Sequence, residues 1–136
     1  MIKAIPLTVL PLIAYNLIGY GLSGADPWAA ELAVVPMPSG ARWPLRLGDL
    51  LVAFAIAMLY VEVTRYADAP GGAIVNRGLA MLVATAYVVE FLAADAAAHP
   101  VFFLLTTVAV FDVAAGFSIR RSRHDRAAEE YPHETP

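Results

Sequence analysis

No cysteine occurs anywhere in the 136 residues. A thiolate zinc site, a disulfide-stapled secreted module and a redox thiol enzyme are thereby excluded, since each needs sulfur. Charge is scarce as well. Asp, Glu, Lys and Arg make up 15% of the chain, against about 25% in an ordinary soluble domain, so a soluble globular surface could not be covered. Nine basic and twelve acidic residues leave a formal charge of −3, which gives no electrostatic footprint for nucleic acid. Histidine is confined to His99, His124 and His133, none inside an apolar run, which argues against a bis-histidine haem or a buried histidine metal site. No cofactor and no metal are implied. What the chain has in excess is apolar: 60% hydrophobic residues and a mean hydropathy of +0.64. Those are the proportions of an integral membrane protein.

A membrane-crossing helix needs roughly 20 apolar residues, because the rise is about 1.5 Å per residue and the hydrocarbon core about 30 Å thick. Four segments qualify: about 4–22, 48–67, 74–94 and 100–119. Continuous apolar runs, without the alternation of a barrel strand, make the expected fold all-α, an antiparallel four-helix bundle in the bilayer. Lys3, Arg65, Arg77, Arg120, Arg121, Arg123 and Arg126 lie on one side of that topology, and Arg42 and Arg46 on the other. The positive-inside rule then puts both termini in the cytoplasm. Ser23-Gly24-Ala25 resembles a signal-peptide cleavage site, but the apolar stretch before it is long and holds Pro6 and Pro11, so a retained first span is expected.

The outer loop, 23–47, is expected to carry a short interfacial helix. Asp26 would cap it, Pro27 would occupy its first turn, and Glu31 and Leu32 would continue it. Trp28 and Trp43 would anchor this loop at headgroup level. The stretch from Val35 to Gly40 is too rich in proline for a helix. After Arg120 the composition turns charged, and residues 120–136 are expected to be a disordered cytoplasmic tail whose arginines favour an anionic leaflet.

Polar residues inside the spans carry the most information: Asn16, Asp49, Glu62, Asn76, Arg77, Glu90 and Asp112. A carboxylate at a helix centre costs about 2.5 to 3.5 kcal/mol, and one leucine returns only about 0.3 to 0.6 kcal/mol, so these side chains should face protein. Counting rises puts Glu62 toward the cytoplasmic face beside Arg65 and Arg77, Glu90 in the outer third, and Asn16 and Asp112 near the middle. Arg65 and Arg77 are the natural charge partners of Glu62, and Asn16 that of a neutral Asp112. On the third span Asn76, Ala80, Val83, Tyr87 and Glu90 form one stripe; on the first, Asn16, Gly19, Tyr20 and Ser23 do.

Two roles compete for the acids. They could be proton or cation sites strung across the bilayer, in a carrier or pathway formed by an oligomer, or interhelical hydrogen-bonding groups that fix packing. Four helices enclose little room for a pathway, which favours packing. The G-x-G-x-x-G match at Gly19 to Gly24 closes a membrane helix and does not join a strand to a helix, so it is no nucleotide site. Ala53 with Ala57, and Ala80 with Ala84, are small pairs suited to close helix approach. No serine, histidine and acid share one depth, so no hydrolase is implied.

The segments Val35-Pro36-Met37-Pro38-Ser39-Gly40-Ala41-Arg42-Trp43, Leu47-Gly48-Asp49-Leu50-Leu51, Val89-Glu90-Phe91-Leu92 and Asp112-Val113-Ala114-Ala115-Gly116-Phe117 together resemble a family of small bacterial inner-membrane proteins of uncharacterised function, over Lys3 to about Ile119. The resemblance implies the location and no activity. Small multidrug transporters differ, since their essential glutamate lies in the first span and here that span has no acid. The expectation is a non-catalytic accessory or interaction subunit of a larger or homo-oligomeric assembly, with the lipid bilayer and other membrane helices as partners.

Overall fold

The computed structural model describes residues 5–21, 26–68 and 73–130, with side-chain surroundings described over 5–21, 26–65 and 77–118. It is mainly helical. Helix α1 spans Val9–Gly21, α2 Leu47–Asp68, α3 Ala73–Ala93 and α4 Pro100–Glu130, and a small antiparallel hairpin, β1 Glu31–Pro36 and β2 Arg42–Arg46, precedes α2. Lys3, Ser23 and His133, and the side chains of Asn76, of the arginines from 120 to 126 and of His124, lie outside the described residues.

Each helix start has a local cause. At α2, the Asp49 carboxylate accepts from the Arg46 N–H at 2.9 Å, an acid in the first turn reaching back to the cap, where the helix dipole also favours it. At α4, the His99 ring nitrogen Nδ1 accepts from the Val101 N–H at 3.2 Å, and Pro100 fills the first helical position, where its missing N–H leaves nothing unsatisfied. The start of α1 is set by prolines. Pro6 disfavours helical backbone at Ile5, and Pro11 has no N–H to give back to Leu7. The chain therefore enters α1 through a tight turn, with Val9 N–H on the Pro6 carbonyl at 3.2 Å and Leu10 N–H on that of Leu7 at 3.0 Å. Starting so late, α1 has 13 residues, about 20 Å, short of a full bilayer crossing as a helix.

Between α1 and α2 the loop departs from expectation. Asp26 does cap a turn, accepting from the Trp28 N–H at 3.0 Å, but the 3-10 turn ends at Ala29. Glu31 and Leu32 belong to strand β1, paired from Glu31 opposite Arg46 to Pro36 opposite Arg42. Leu32, Val34 and Val35 carry the strand propensity that outweighs the helix-start signal. Pro38 then sits at the first corner of a turn closed by Gly40 N–H on the Met37 carbonyl at 2.9 Å, and Gly40 adopts φ 84. A left-handed glycine after a proline turn is the usual closure of such a hairpin.

The charged segment also differs: α4 continues to Glu130, so 120–130 is helical where disorder was expected, and 131–136 lies outside the described residues. Arg, Ala and Glu are good helix formers, and extending an existing helix avoids nucleation.

Among the helices, α4 packs against both α2 and α3, which lean on it more than on each other. Alanines sit at the crossings: Ala55, Ala80, Ala84 and Ala109 are buried, letting backbones approach closely. Ala53 and Ala57, expected to do this on α2, are exposed; Ala55, on the other side of that helix, takes the role. Phe102, fully buried on α4, is the centre of the core. It meets Tyr15 edge-on at 4.7 Å between ring centroids and Tyr87 at 5.6 Å. Gly48 is demanded by proximity, since a Cβ there would lie 2.7 Å from Val101 Cγ2 and 3.2 Å from the Trp28 carbonyl oxygen.

Among the described residues, many large apolar side chains of the helices are exposed. Two helical stretches, Leu47–Arg65 and Pro100–Ser118, are long and apolar enough to cross a membrane, yet only 22% and 28% of their residues are buried within the protein. Leu17, Tyr60, Leu82, Leu92 and Phe111 are each more than 60% exposed. A core helix of a soluble protein would be mostly covered, and these two are mostly exposed.

Candidate functional site

The late start of α1 creates a chemical demand. The first N–H groups of a helix have no partner within it, and here that first turn is covered by protein, with Pro6, Thr8 and Pro11 buried. Two acids from other helices answer it. The Leu7 N–H donates to Glu62 Oε2 on α2, and the Thr8 hydroxyl donates to Asp112 Oδ2 on α4 at 3.1 Å. From α3, the Tyr87 hydroxyl donates to the Thr8 carbonyl oxygen at 2.9 Å. All four helices thus meet on residues 7 and 8. Glu62 is 5% exposed and Asp112 1%. The positive end of the α1 dipole lies against both carboxylates, which lowers the cost of holding them away from water. Among the described residues one buried side-chain polar atom is left over: Asp112 Oδ1 has no hydrogen-bond partner.

At the other end α1 is held by aromatics. Tyr15 stacks on Trp28 with centroids 4.4 Å apart and planes 10° from parallel, and its hydroxyl donates to the Ala96 carbonyl at 2.8 Å. The His99 Nε2–H donates to Asp26 Oδ2 at 3.3 Å, joining the turn carrying Trp28 to the start of α4. Because both side chains are partly exposed, that bond contributes under about 1 kcal/mol.

Several sequence expectations are revised by this arrangement. Asn16 is not the partner of Asp112; its amide donates to the Leu12 carbonyl of its own helix at 3.1 Å. The expected depth rests on a helix running from near Ala4, whereas the late start of α1 brings Thr8, about 12 Å before Asn16 along a helix, to the level of Asp112. Trp28 is not a headgroup anchor. At 4% exposure it belongs to the core, since ring stacking on Tyr15 buries more of the indole than an interface would. Trp43 remains exposed on β2, beside an apolar groove of about 450 Å³ walled by Leu45, Leu50, Ile56 and Leu104. Arg77, expected at Glu62, lies over the Phe117 ring, 5.6 Å from its centroid, and Arg65 is exposed. Glu90 is half-buried.

Leu7 and Thr8 are site residues that the sequence reading does not single out, and it marks Tyr87 only as one member of a stripe. A signal is there: Thr8, Pro11 and Tyr15 recur at helical spacing and form the buried face of α1, one position away from the stripe drawn through Asn16. No protein-family model matches the chain, and no curated protein or solved structure shows significant similarity to it.

Proposed function

We propose that this protein is a four-span helical bundle of the bacterial inner membrane, with both termini cytoplasmic, acting as a non-catalytic accessory subunit in a homo- or hetero-oligomeric membrane assembly. The observation that carries the membrane assignment is the sorting of side chains. Large apolar residues face outward on all four helices, while Glu62 and Asp112 turn inward to hold α1. Lipid satisfies the first group, and the second could not be left facing lipid.

The accessory role rests on what the acids do and on what the surface offers. One oxygen of each buried acid is committed to the α1 segment, which suits a structural clasp. Between α3 and α4 lies an open, nearly all-apolar groove of about 400 Å³, with Ala84, Thr85 and Ala114 along it and Met81, Val88 and Val110 on its walls. In a bilayer the hydrophobic effect does not drive helices together, so association depends on close packing at small residues. A groove of that kind is where a neighbouring helix gains most.

Ala114→Cys introduces the chain's sole thiol, so a cross-link between copies, or to a partner, reports contact at this groove. Cross-linking in native membranes, followed by purification in mild detergent, is expected to give a defined adduct and an assembly larger than the monomer. A monomer that cross-links to nothing would overturn the accessory reading.

A further inference from the structure

We propose that Arg77, held over the Phe117 ring at one end of the α3–α4 groove, binds the phosphate of an anionic phospholipid in the cytoplasmic leaflet. The site rests on the membrane orientation proposed above and adds a lipid to it. The Arg77 guanidinium carbon lies 5.6 Å from the Phe117 ring centroid, a cation–π contact that fixes where the charge stands. That contact supplies no counter-charge. Among the described residues, the Arg77 side chain makes no ion pair and no hydrogen bond. A guanidinium placed in this way offers a planar fork of N–H donors, the geometry that matches a phosphate.

The surroundings make the anion a lipid's. Met81, one turn after Arg77 on α3, and Ala114, three residues before Phe117 on α4, both line the open apolar groove of about 400 Å³. The cation therefore stands at the end of an apolar trough, and Met81 and Phe117 beside it are each 48% exposed. A free phosphate would fill the fork and leave those side chains bare, whereas a phospholipid covers both at once. Further charge follows on the same helix. Because α4 continues unbroken to Glu130, Arg120 and Arg121, three and four residues after Phe117, share its face one turn closer to the cytoplasm. Basic residues at that level each add to the attraction of an anionic leaflet. The phosphate is held one turn cytoplasmic of the groove, so a neighbouring helix in the groove and a lipid at its mouth occupy successive levels of one face.

The test uses the full chain in mild detergent, with native mass spectrometry counting adducts of phosphatidylglycerol or of phosphatidylcholine with the same acyl chains. The expected preference for phosphatidylglycerol is at least about fivefold, the contribution of one basic residue at an anionic surface. Arg77→Lys keeps the charge but loses the fork, and Phe117→Leu loses the ring; each should remove most of that preference while Trp28 fluorescence reports an intact fold. Equal binding of the two lipids overturns the proposal. So does a preference that survives both substitutions, which would reflect diffuse charge, and so does displacement of the lipid by inorganic phosphate. Loss of the Ala114→Cys cross-link in Arg77→Lys, with no lipid preference in the wild type, would put a partner's acid on the fork and overturns it too. Recovery of the chain in the soluble fraction of cells would sink the membrane reading itself, which equal lipid binding leaves standing. If Phe117→Leu does not fold, Arg77→Lys decides.

Discussion

Removing the Thr8 hydroxyl isolates the clasp most cleanly. Thr8→Val keeps the shape of the side chain and deletes one bond, the 3.1 Å contact to Asp112 Oδ2. It leaves a carboxylate 1% exposed with both oxygens lacking a donor, a change worth about 1 to 3 kcal/mol for a buried acceptor. Asp112→Ala, made in that background, removes the stranded acid and should therefore cost less than it does in the wild-type chain. Interhelical hydrogen bonds in a bilayer average about 0.6 kcal/mol with a maximum near 1.7 kcal/mol, and an ionised acceptor strengthens the bond about twofold. The double-mutant cycle should accordingly give a coupling of about 1 kcal/mol, roughly a fivefold change in the unfolding equilibrium. Reversible unfolding by SDS in mixed micelles can report it, because Trp28 fluorescence senses loss of the Tyr15 stack at 4.4 Å. A coupling below about 0.3 kcal/mol, within the additivity expected of independent sites, would refute the claim that Asp112 holds α1 through Thr8.

Other substitutions test other links. Gly48→Ala should destabilise by about 1 to 3 kcal/mol through overpacking, since its Cβ would meet Val101 and the Trp28 backbone. Gly78→Ala on α3, where a Cβ meets nothing within 4 Å, should be stabilising by up to about 1 kcal/mol, and the same SDS titration compares the two. Phe102→Ala, at a fully buried position, should cost about 3 to 5 kcal/mol, the lost transfer free energy and the void together. Asn16→Leu should change stability by less than about 0.5 kcal/mol, because its amide bonds only within α1; a loss above about 2 kcal/mol would restore Asn16 as an interhelical residue.

How far the sequence reveals this molecule depends on the length scale of each signal. The helices announce themselves through apolar runs of about twenty residues, so the run expected over 48–67 lies beside α2 at Leu47–Asp68, and that over 74–94 beside α3 at Ala73–Ala93. The hairpin is a weaker signal. Its strands have six and five residues, and an N-cap motif at Asp26 competes with them for the same stretch. For the site, Glu62 and Asp112 stand out because a buried acid is conspicuous by type alone. Their partners do not. One is a backbone N–H at Leu7, and the other is the hydroxyl of Thr8, whose depth cannot be assigned without knowing where α1 begins. Two prolines set that beginning, and their effect on depth is a matter of register that composition cannot convey. Trp28 shows the same limit: an indole near a span end suits an interface by rule, and only the stacked Tyr15 ring reveals that it is core.

The central claim is a bundle that crosses the bilayer with its hairpin outside and its acids turned inward. Because the chain has no cysteine, single thiols report topology directly. Ser39→Cys, at the exposed hairpin turn, should react with a membrane-impermeant maleimide in cells whose inner membrane is intact. Ser122→Cys should react only after that membrane is permeabilised, and Asp112→Cys should stay unreactive until the protein is unfolded. Labelling of Ser39→Cys and Ser122→Cys from the same side, or ready labelling of Asp112→Cys in the folded protein, would contradict the account.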